Sequence, residues 1–583
     1  MTTAEYEQPA DRRTLRLIRE LDDAAAAGCQ VVITGSGVHD LLIDPQDRAL
    51  WLPDLLTSYA ADRQKGLVIW QLASEPESRA TLPEGRSVTV KTVDPQSHPA
   101  DAVRGLLTDL ADEADPALLV IDYMDLVLSS DFDGHELLRA SLLEQLQSLA
   151  SDHDWRTHGH QLVLVDRGSG ITPHLTHQAG YRTVRVDAPD QREAEVFIAK
   201  KTSSTATNRL HLAPALTVDR ASRLAGGLLL RGINEAAALS SAERPLEPLT
   251  LSRMKGAALA QQSKGTLVLL DDPVDFATDV AGLHAVRFYL TRLQARGKTT
   301  ARVLLAGPPG TGKTYSARAI ARFMGIPLVR FGKIQGELMG QTEEFTDTAL
   351  ATLAAMSPSG VEWGEFDQAG GGTRNSSGSS SNEAYQGQRA KFFDALSSPS
   401  DDSGFTVIAS TNVPAPRFID SAALDRFEVI PVLPASTSEL VDVVRINARQ
   451  TQVPLGDGIQ SAIHDYMANG RVISNRTATE VVADAHFAAI SRGSEKVEGQ
   501  DITHVLQQRF RDDWTHDVEY STLTSIVAAK KEWALPWVAS AELGESYEPP
   551  MYLHHYFKDS GRLDSERIVA RIDELDRMGA YRG

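Results

Sequence analysis

The run Gly307-Pro308-Pro309-Gly310-Thr311-Gly312-Lys313-Thr314 has the residue types and the spacing of a loop that holds phosphate. Its glycines let successive backbone N–H groups turn toward one centre, and a helix beginning near Tyr315 would add the positive end of its dipole. Lys313 is spaced to reach the β- and γ-phosphates of a nucleotide, and the Thr314 hydroxyl to ligate Mg²⁺. The chemistry indicated is binding of ATP together with Mg²⁺. A chance Gly/Pro-rich turn is the competing reading. Against it stand the apolar, strand-like run Val303-Leu304-Leu305-Ala306 before the loop and the helical pattern after it.

The rest of the chain must position that loop. At 583 residues it is too long for one core and should divide into several domains. A hydrophobic content of 42% with 23% charged residues is that of a globular protein. The single cysteine, Cys29, excludes an internal disulfide framework and fits a reducing compartment. Residues 1–13 lack the apolar core of a signal peptide, and no stretch reaches the ~18 to 20 apolar residues of a membrane span. A cytoplasmic location without membrane insertion is expected. The net charge of −20 repels a phosphate backbone, which argues against a nucleic-acid partner and reads more simply as solubility.

Between Gln30 and Val186 lie five short apolar or β-branched runs, 30–34, 66–70, 117–121, 161–165 and 181–186, separated by stretches such as 50–59 and 135–151 that can hold helices. This alternation predicts a parallel α/β sheet covered on both faces. The first run ends in Gly35-Ser36-Gly37 with no lysine following. The third ends in Asp122-Tyr123-Met124-Asp125, the acidic end of a nucleotide-site strand without a phosphate loop to serve. Residues 1–245 therefore read as a degenerate ATPase-like domain with a structural or partner-docking role. A weak repeat of domain length supports that reading. Residues 246–300 read as a bridge, with a helix over 252–263 and a short strand over 265–270.

Three segments in order, Asp279-Val280-Ala281-Gly282-Leu283, the loop at 307–314, and Thr411-Asn412 after the run 405–410, together resemble the AAA clade of AAA+ ATPases over about residues 270–510. The layout as a whole resembles the tandem AAA proteins of cyanobacteria and plastids. The resemblance implies an α/β fold: a P-loop NTPase parallel sheet over 301–435 and a helical lid over 436–512, preceded by the degenerate domain and followed by an extension over 513–583. It implies a homo-oligomeric ring, a hexamer, acting on a protein client. It assigns Asp279, Gly282, Pro308, Pro309, Gly310, Thr311, Gly312, Lys313, Thr314 and Tyr315 to the nucleotide, with Thr314 also at the metal. Glu365 would polarise the attacking water, Asn412 would sense the γ-phosphate, and Arg426 would reach into the neighbouring subunit's site. Arg476 falls where many relatives place a nucleotide-sensing residue; a solvated arginine at a helix start is the alternative.

The chain also departs from that pattern. Gly364 stands where the family has the aspartate that supports the Mg²⁺ shell, a loss of the kind that costs about 10- to 100-fold in metal affinity or activity. Glu362 lies two residues earlier on the same strand face. Either Glu362 or Asp367 substitutes for the missing aspartate, or Glu362 is paired with a nearby basic side chain. Of the two arginines usual in the 421–428 stretch, only Arg426 is matched. The segment that lines the pore in the family carries Leu338 and Met339, apolar but not aromatic; a plain strand-to-helix loop is the alternative. Residues 370–381 have a Gly/Ser/Asn-rich linker composition. The extension beyond 513 fits docking on a neighbour and a simple terminal cap equally well. Two functions follow: an ATP hydrolase, slowed by Gly364, that remodels a protein partner, or an ATP-binding switch or scaffold with little hydrolysis.

Overall fold

A computed structural model describes residues 13–580, except 73, 92, 95–96, 129–135, 150, 169–174, 176–179, 206–207, 215, 264, 273, 333–340, 365–390, 393–403, 416–418, 420–423, 469–470 and 510–512. The chain forms two compact units, divided between Glu247 and Pro248.

In the first unit the five apolar runs become strands. These are β1 (Gln30–Thr34), β2 (Gly66–Trp70), β4 (Ala117–Ile121), β5 (Gln161–Val165) and β6 (Tyr181–Arg185), with a short β3 (Glu77–Arg79) at the edge. The sheet order is β3-β2-β4-β5-β1-β6, and every pairing is parallel except that of β3 with β2. Side chains of successive residues leave opposite faces, so each strand feeds two cores. Val68, Leu119 and Leu164 pack with α3 (Pro99–Ala111) and α4 (Glu136–Leu149). Leu67, Val120 and Val163 pack with α1 (Arg13–Ala26) and α2 (Leu52–Asp62). Coverage on both faces is why these strands read as unbroken apolar runs. Helices α5 (Gln191–Ser203), α6 (Val218–Ala225) and α7 (Leu230–Leu239) complete the unit.

The carboxyl end of this sheet is occupied by an arginine. Arg167, just beyond β5, grips Asp122 at the end of β4 with two hydrogen bonds, Nε to Oδ1 at 2.7 Å and Nη2 to Oδ2 at 2.8 Å. Its Nη1 also donates to the carbonyl of Val38, in the turn that follows β1. Gly35 and Gly37 in that turn sit against backbone, where an added Cβ would come within 2.4 Å of the Val186 carbonyl and 2.3 Å of the Asp187 carbonyl.

The second unit holds a sheet of order β12-β8-β11-β10-β9-β7, built from β7 (Leu267–Leu269), β8 (Arg302–Ala306), β9 (Leu328–Phe331), β10 (Gly360–Trp363), β11 (Thr406–Thr411) and β12 (Glu428–Pro431). All neighbours are parallel except β7, which runs antiparallel to β9. Taking the parallel strands in chain order, both sheets place the fifth beside the first, then the fourth, third and second. The helices here are α8 (Pro248–Gln262), α9 (His284–Ala295), α10 (Lys313–Met324) and α11 (Gln341–Ala355). The segment expected to be a bridge is thus built into this unit: β7 is the sheet's edge strand, and Leu259 of α8 packs in its core with Leu304, Val361 and Val407.

Four helices follow: α12 (Thr437–Gln450), α13 (Ile459–Ala468), α14 (Asn475–Ser491) and α15 (Gly499–Gln508), sharing one core. Beyond them come α16 (His516–Ala528), α17 (Pro536–Glu542) and α18 (Ser565–Arg577). This extension folds back onto the unit. Leu523, Leu553 and Ile568 bury against Val413 and Leu433, and Glu519 is clasped by Arg571 at 2.9 Å and by the Tyr556 hydroxyl at 2.9 Å. No helix among the described residues is long and apolar enough to cross a membrane.

Lys255 of α8 has 0% exposure. Burial disfavours its charged form and holds its pKa well below the usual lysine value. Between that lowered value and the ordinary one the unfolded chain binds a proton that the folded chain does not, so stability rises with pH across this window. For one proton the slope is at most about 1.4 kcal/mol per pH unit. Lys255→Met is expected to remove this contribution, so denaturant titrations of the intact protein at pH 7, 8 and 9 should give a flatter pH dependence for the variant. Equal slopes in the two proteins would contradict it.

Candidate nucleotide site

The loop at 307–314 connects β8 to α10, as its flanks require. Gly310 and Gly312 have φ of 83° and 91°, the left-handed region that favours glycine. Gly307 begins the turn with its N–H donating to the Thr411 carbonyl at 3.2 Å. A Cβ there would come within 2.0 Å of the Val432 carbonyl oxygen. Lys313, largely buried, donates from Nζ to the carbonyls of Gly307 at 2.6 Å and Pro308 at 2.8 Å, and the Thr311 hydroxyl donates to Pro308 at 3.0 Å.

The lid reaches this loop directly. At the start of α14, Asn475 Nδ2 donates to the Thr311 carbonyl at 3.1 Å and the Arg476 N–H to the Gly310 carbonyl at 3.3 Å. Asn475 Oδ1 is buried without a hydrogen-bond partner. Beside the loop opens a cavity of about 560 Å³, within the ~300–1,000 Å³ range of small-molecule sites. Of the residues expected at the nucleotide, Asp279, Pro309, Gly310, Thr311, Gly312, Lys313, Thr314, Tyr315, Asn412 and Arg476 line it. Asn412 stands one residue beyond β11, and its carbonyl accepts a hydrogen bond from Ser521 of α16. Tyr315 accepts from Gln450 of α12 at 3.0 Å. Positive-φ glycines and a lysine at the first helical turn, on the wall of one cavity, fit a triphosphate, and the Thr314 hydroxyl on that wall fits its metal.

Other residues stand elsewhere. Pro308 and Gly282 are not on the cavity wall. Pro308 serves through its carbonyl, whereas Gly282, with φ 69°, makes room: a Cβ there would lie 1.9 Å from Glu439 Oε1. Asp279 spends one carboxylate oxygen on the N–H of Asp275 at 2.9 Å, with Arg449 of α12 3.7 Å from the other. Arg426 is absent from this cavity. It lines a separate hollow of about 310 Å³ with Lys530 and Lys531, which pair with Asp425 and Glu428. Glu365 lies outside the described residues, as do Asp367, Leu338, Met339 and residues 370–381. Glu362 of β10 is half-buried and stands in register with Arg330 of β9. Burial raises its pKa, opposed by the charges of Arg318 and Arg330, so basic neighbours are present, as one of the two sequence readings required.

Sequence reasoning missed three groups on the cavity wall: Glu439, Tyr547 and Asn475. The Ser436-x-x-Glu439 spacing is readable as a capping box, and Ser436 and Glu439 do close one at the start of α12. Nothing local reveals that Glu439 also accepts from Tyr547 at 3.2 Å.

Residues 303–435 match the family model described as "ATPase family associated with various cellular activities (AAA)". The segment is an AAA ATPase domain. The curated relatives agree. An ATP-dependent zinc metalloprotease FtsH of Corynebacterium glutamicum is 41% identical over 90 residues, 13% of this chain and 11% of that protein. A 26S proteasome regulatory subunit 8 homolog of Schizosaccharomyces pombe is 26% identical over 164 residues, 27% of this chain and 40% of the relative. Spastin of Drosophila melanogaster is 32% identical over 130 residues, 21% and 16%. The chain therefore spans less than half the length of each of these relatives.

The two glycines that flank the AAA sheet's chemistry differ in what surrounds them. Gly282→Ala, strained in backbone and colliding with Glu439, is expected to cost about 1–3 kcal/mol. Gly364→Ala is expected to leave stability within about 0.5 kcal/mol, because no described residue lies within 4 Å of an added Cβ at 364. Thermal unfolding of the two variants beside the parent protein checks the contrast, and a Gly364→Ala loss as large as that of Gly282→Ala would refute it.

Proposed function

We propose that the chain binds Mg-ATP at residues 307–314 and hydrolyses it slowly, in a ring of copies of itself, to remodel a protein partner. The observation that carries this reading is the loop conformation. Its two positive-φ glycines, Lys313 and Thr314 meet the lid residues Asn475 and Arg476 across one cavity. On binding, Lys313 exchanges the carbonyls of Gly307 and Pro308 for phosphate oxygens, and Thr314 supplies a metal ligand. A Mg²⁺ held by Thr314 would supply charge neutralisation at the phosphates. Asn412 holds the attacking water or the γ-phosphate, Glu365 polarises that water, and Arg476 contacts phosphate from the lid. Arg426, away from its own cavity, acts on the site of the adjacent copy, which gives the ring, a hexamer, its catalytic purpose. The relatives, a proteasome regulatory subunit homolog and an ATP-dependent zinc metalloprotease, support a protein client.

The first unit is read as a degenerate partner of the AAA domain, in a tandem layout. It has the same order of parallel strands, with Arg167 bridging Asp122 and the turn after β1 where a nucleotide's phosphates would need to enter. A partner-docking role follows from an α/β unit with no lysine for phosphate in that turn.

A second reading, an ATP-dependent switch with little hydrolysis, is favoured by one observation: Gly364, the residue after β10, has no side chain, and no described residue lies within 4 Å of where its Cβ would be. Steady-state phosphate release measured beside Mg-ATP binding separates the two. The enzyme reading expects release at least about tenfold faster than in Glu365→Gln, with binding retained in both; release no faster than in that variant leaves the switch. Gly364→Asp has room for its side chain and is expected to raise turnover about 10- to 100-fold.

A further inference from the structure

The extension over 513–583 does more than cap the unit. Pro536 and Tyr547 are on the wall of the cavity that holds the phosphate loop, together with Val280, Leu283, Val443 and Ile446. Lys313, Thr314 and Asn475 define a polar, phosphate-like end; these apolar side chains suit the flat faces of a base. Tyr547 is fixed by two contacts. Its hydroxyl donates to Glu439 Oε2 at 3.2 Å, and its ring meets that of His284 edge-on at 5.0 Å. The neighbouring Glu545 is locked by both nitrogens of the Arg287 fork, at 3.0 and 2.7 Å, and by His284 Nδ1 at 2.8 Å. Glu439 in turn holds the first turn of the lid through the Ser436 N–H at 2.8 Å. One side chain of the extension is therefore braced at once by α9 and by the first lid helix, on the wall of the site.

We infer that the carboxy-terminal extension is part of the nucleotide site, with Tyr547 as a binding residue that packs on the nucleobase. The inference rests on the nucleotide-binding reading above. It adds which end of the cavity takes the base and which segment selects it. Because docking of the extension and occupancy of the site share Tyr547, each strengthens the other, as reciprocal linkage requires.

The test compares Mg-ADP with inorganic tripolyphosphate, which keeps the phosphates and lacks the base, in calorimetric titrations of the intact chain, Tyr547→Ala and Tyr547→Phe. Stacking of a base on an aromatic ring contributes on the scale that gives Tyr547→Ala a loss of about tenfold or more in Mg-ADP affinity. Tripolyphosphate affinity should stay within about twofold. Tyr547→Phe keeps the ring and loses only the bond to Glu439, and should hold Mg-ADP affinity within about threefold. Unchanged Mg-ADP binding in Tyr547→Ala overturns the inference, as does an equal loss for both ligands, which would mark Tyr547 as a support of the fold. If the parent chain binds tripolyphosphate but not Mg-ADP, base recognition is refuted while the phosphate loop stands. If it binds neither, the nucleotide reading itself falls.

Discussion

Gly307 sits where no Cβ fits, Gly310 and Gly312 hold the left-handed backbone that favours glycine, and the AAA unit is arranged around that turn. Gly307 is pressed against the Val432 carbonyl just beyond β12, and Gly310 lies 3.2 Å, as measured from a hypothetical Cβ, from Ser474 just before α14 of the lid. A strand end and a lid helix thus share one turn as their common support. The register of β8 with β11, Ala306 beside Thr411, brings Asn412 level with the same turn. Positioning of this kind comes from backbone, which is stiff, rather than from long side chains, which would lose rotamer entropy when fixed. The chemistry of the loop and its geometry therefore have one cause: glycine where strand, lid and phosphate must all approach the main chain.

The first unit shows what the same strand order does without that loop. There the turn after β1 is held by a guanidinium from β5's end, fastened to an aspartate at β4's end. A buried carboxylate with no partner would be costly, and Arg167 supplies both charge and a bidentate geometry. The cation that a phosphate site would offer to a ligand is here satisfied from within the protein. A turn closed by such a pair is part of the scaffold.

How much of this was legible depended on whether the determining contacts are local. The five apolar runs of the first unit and the strand-loop-helix at 303–324 depend on patterns of neighbours a few residues apart, and they fold as the periodicity dictates. The edge strand Leu267–Leu269 was visible as a strand but not as a member of the AAA sheet, since its partner Val329 is remote in sequence. Arg167 with Asp122 and Tyr547 with Glu439 are separated by 45 and 108 residues. Nothing in the runs around Tyr547 distinguishes a cavity wall from a loop on a surface. Gly282 was read as a nucleotide contact from its motif, yet its place is explained by Glu439, a residue that no local spacing links to it.

The fate of Glu362 bears on how the edited end of β10 works. It shares a strand face with Gly364, and a carboxylate there could in principle stand in for the lost aspartate. Its surroundings point the other way. It is paired in register with Arg330 and faces the charge of Arg318, and Arg318 is itself bound to Asp272 at 2.5 Å. A carboxylate held in the field of two guanidinium groups is neutralised locally, and moving it toward a metal would leave those cations, one with a buried Nε lacking a partner, to be compensated afresh. Glu362 is thus committed to its basic neighbours rather than free to take the lost aspartate's place.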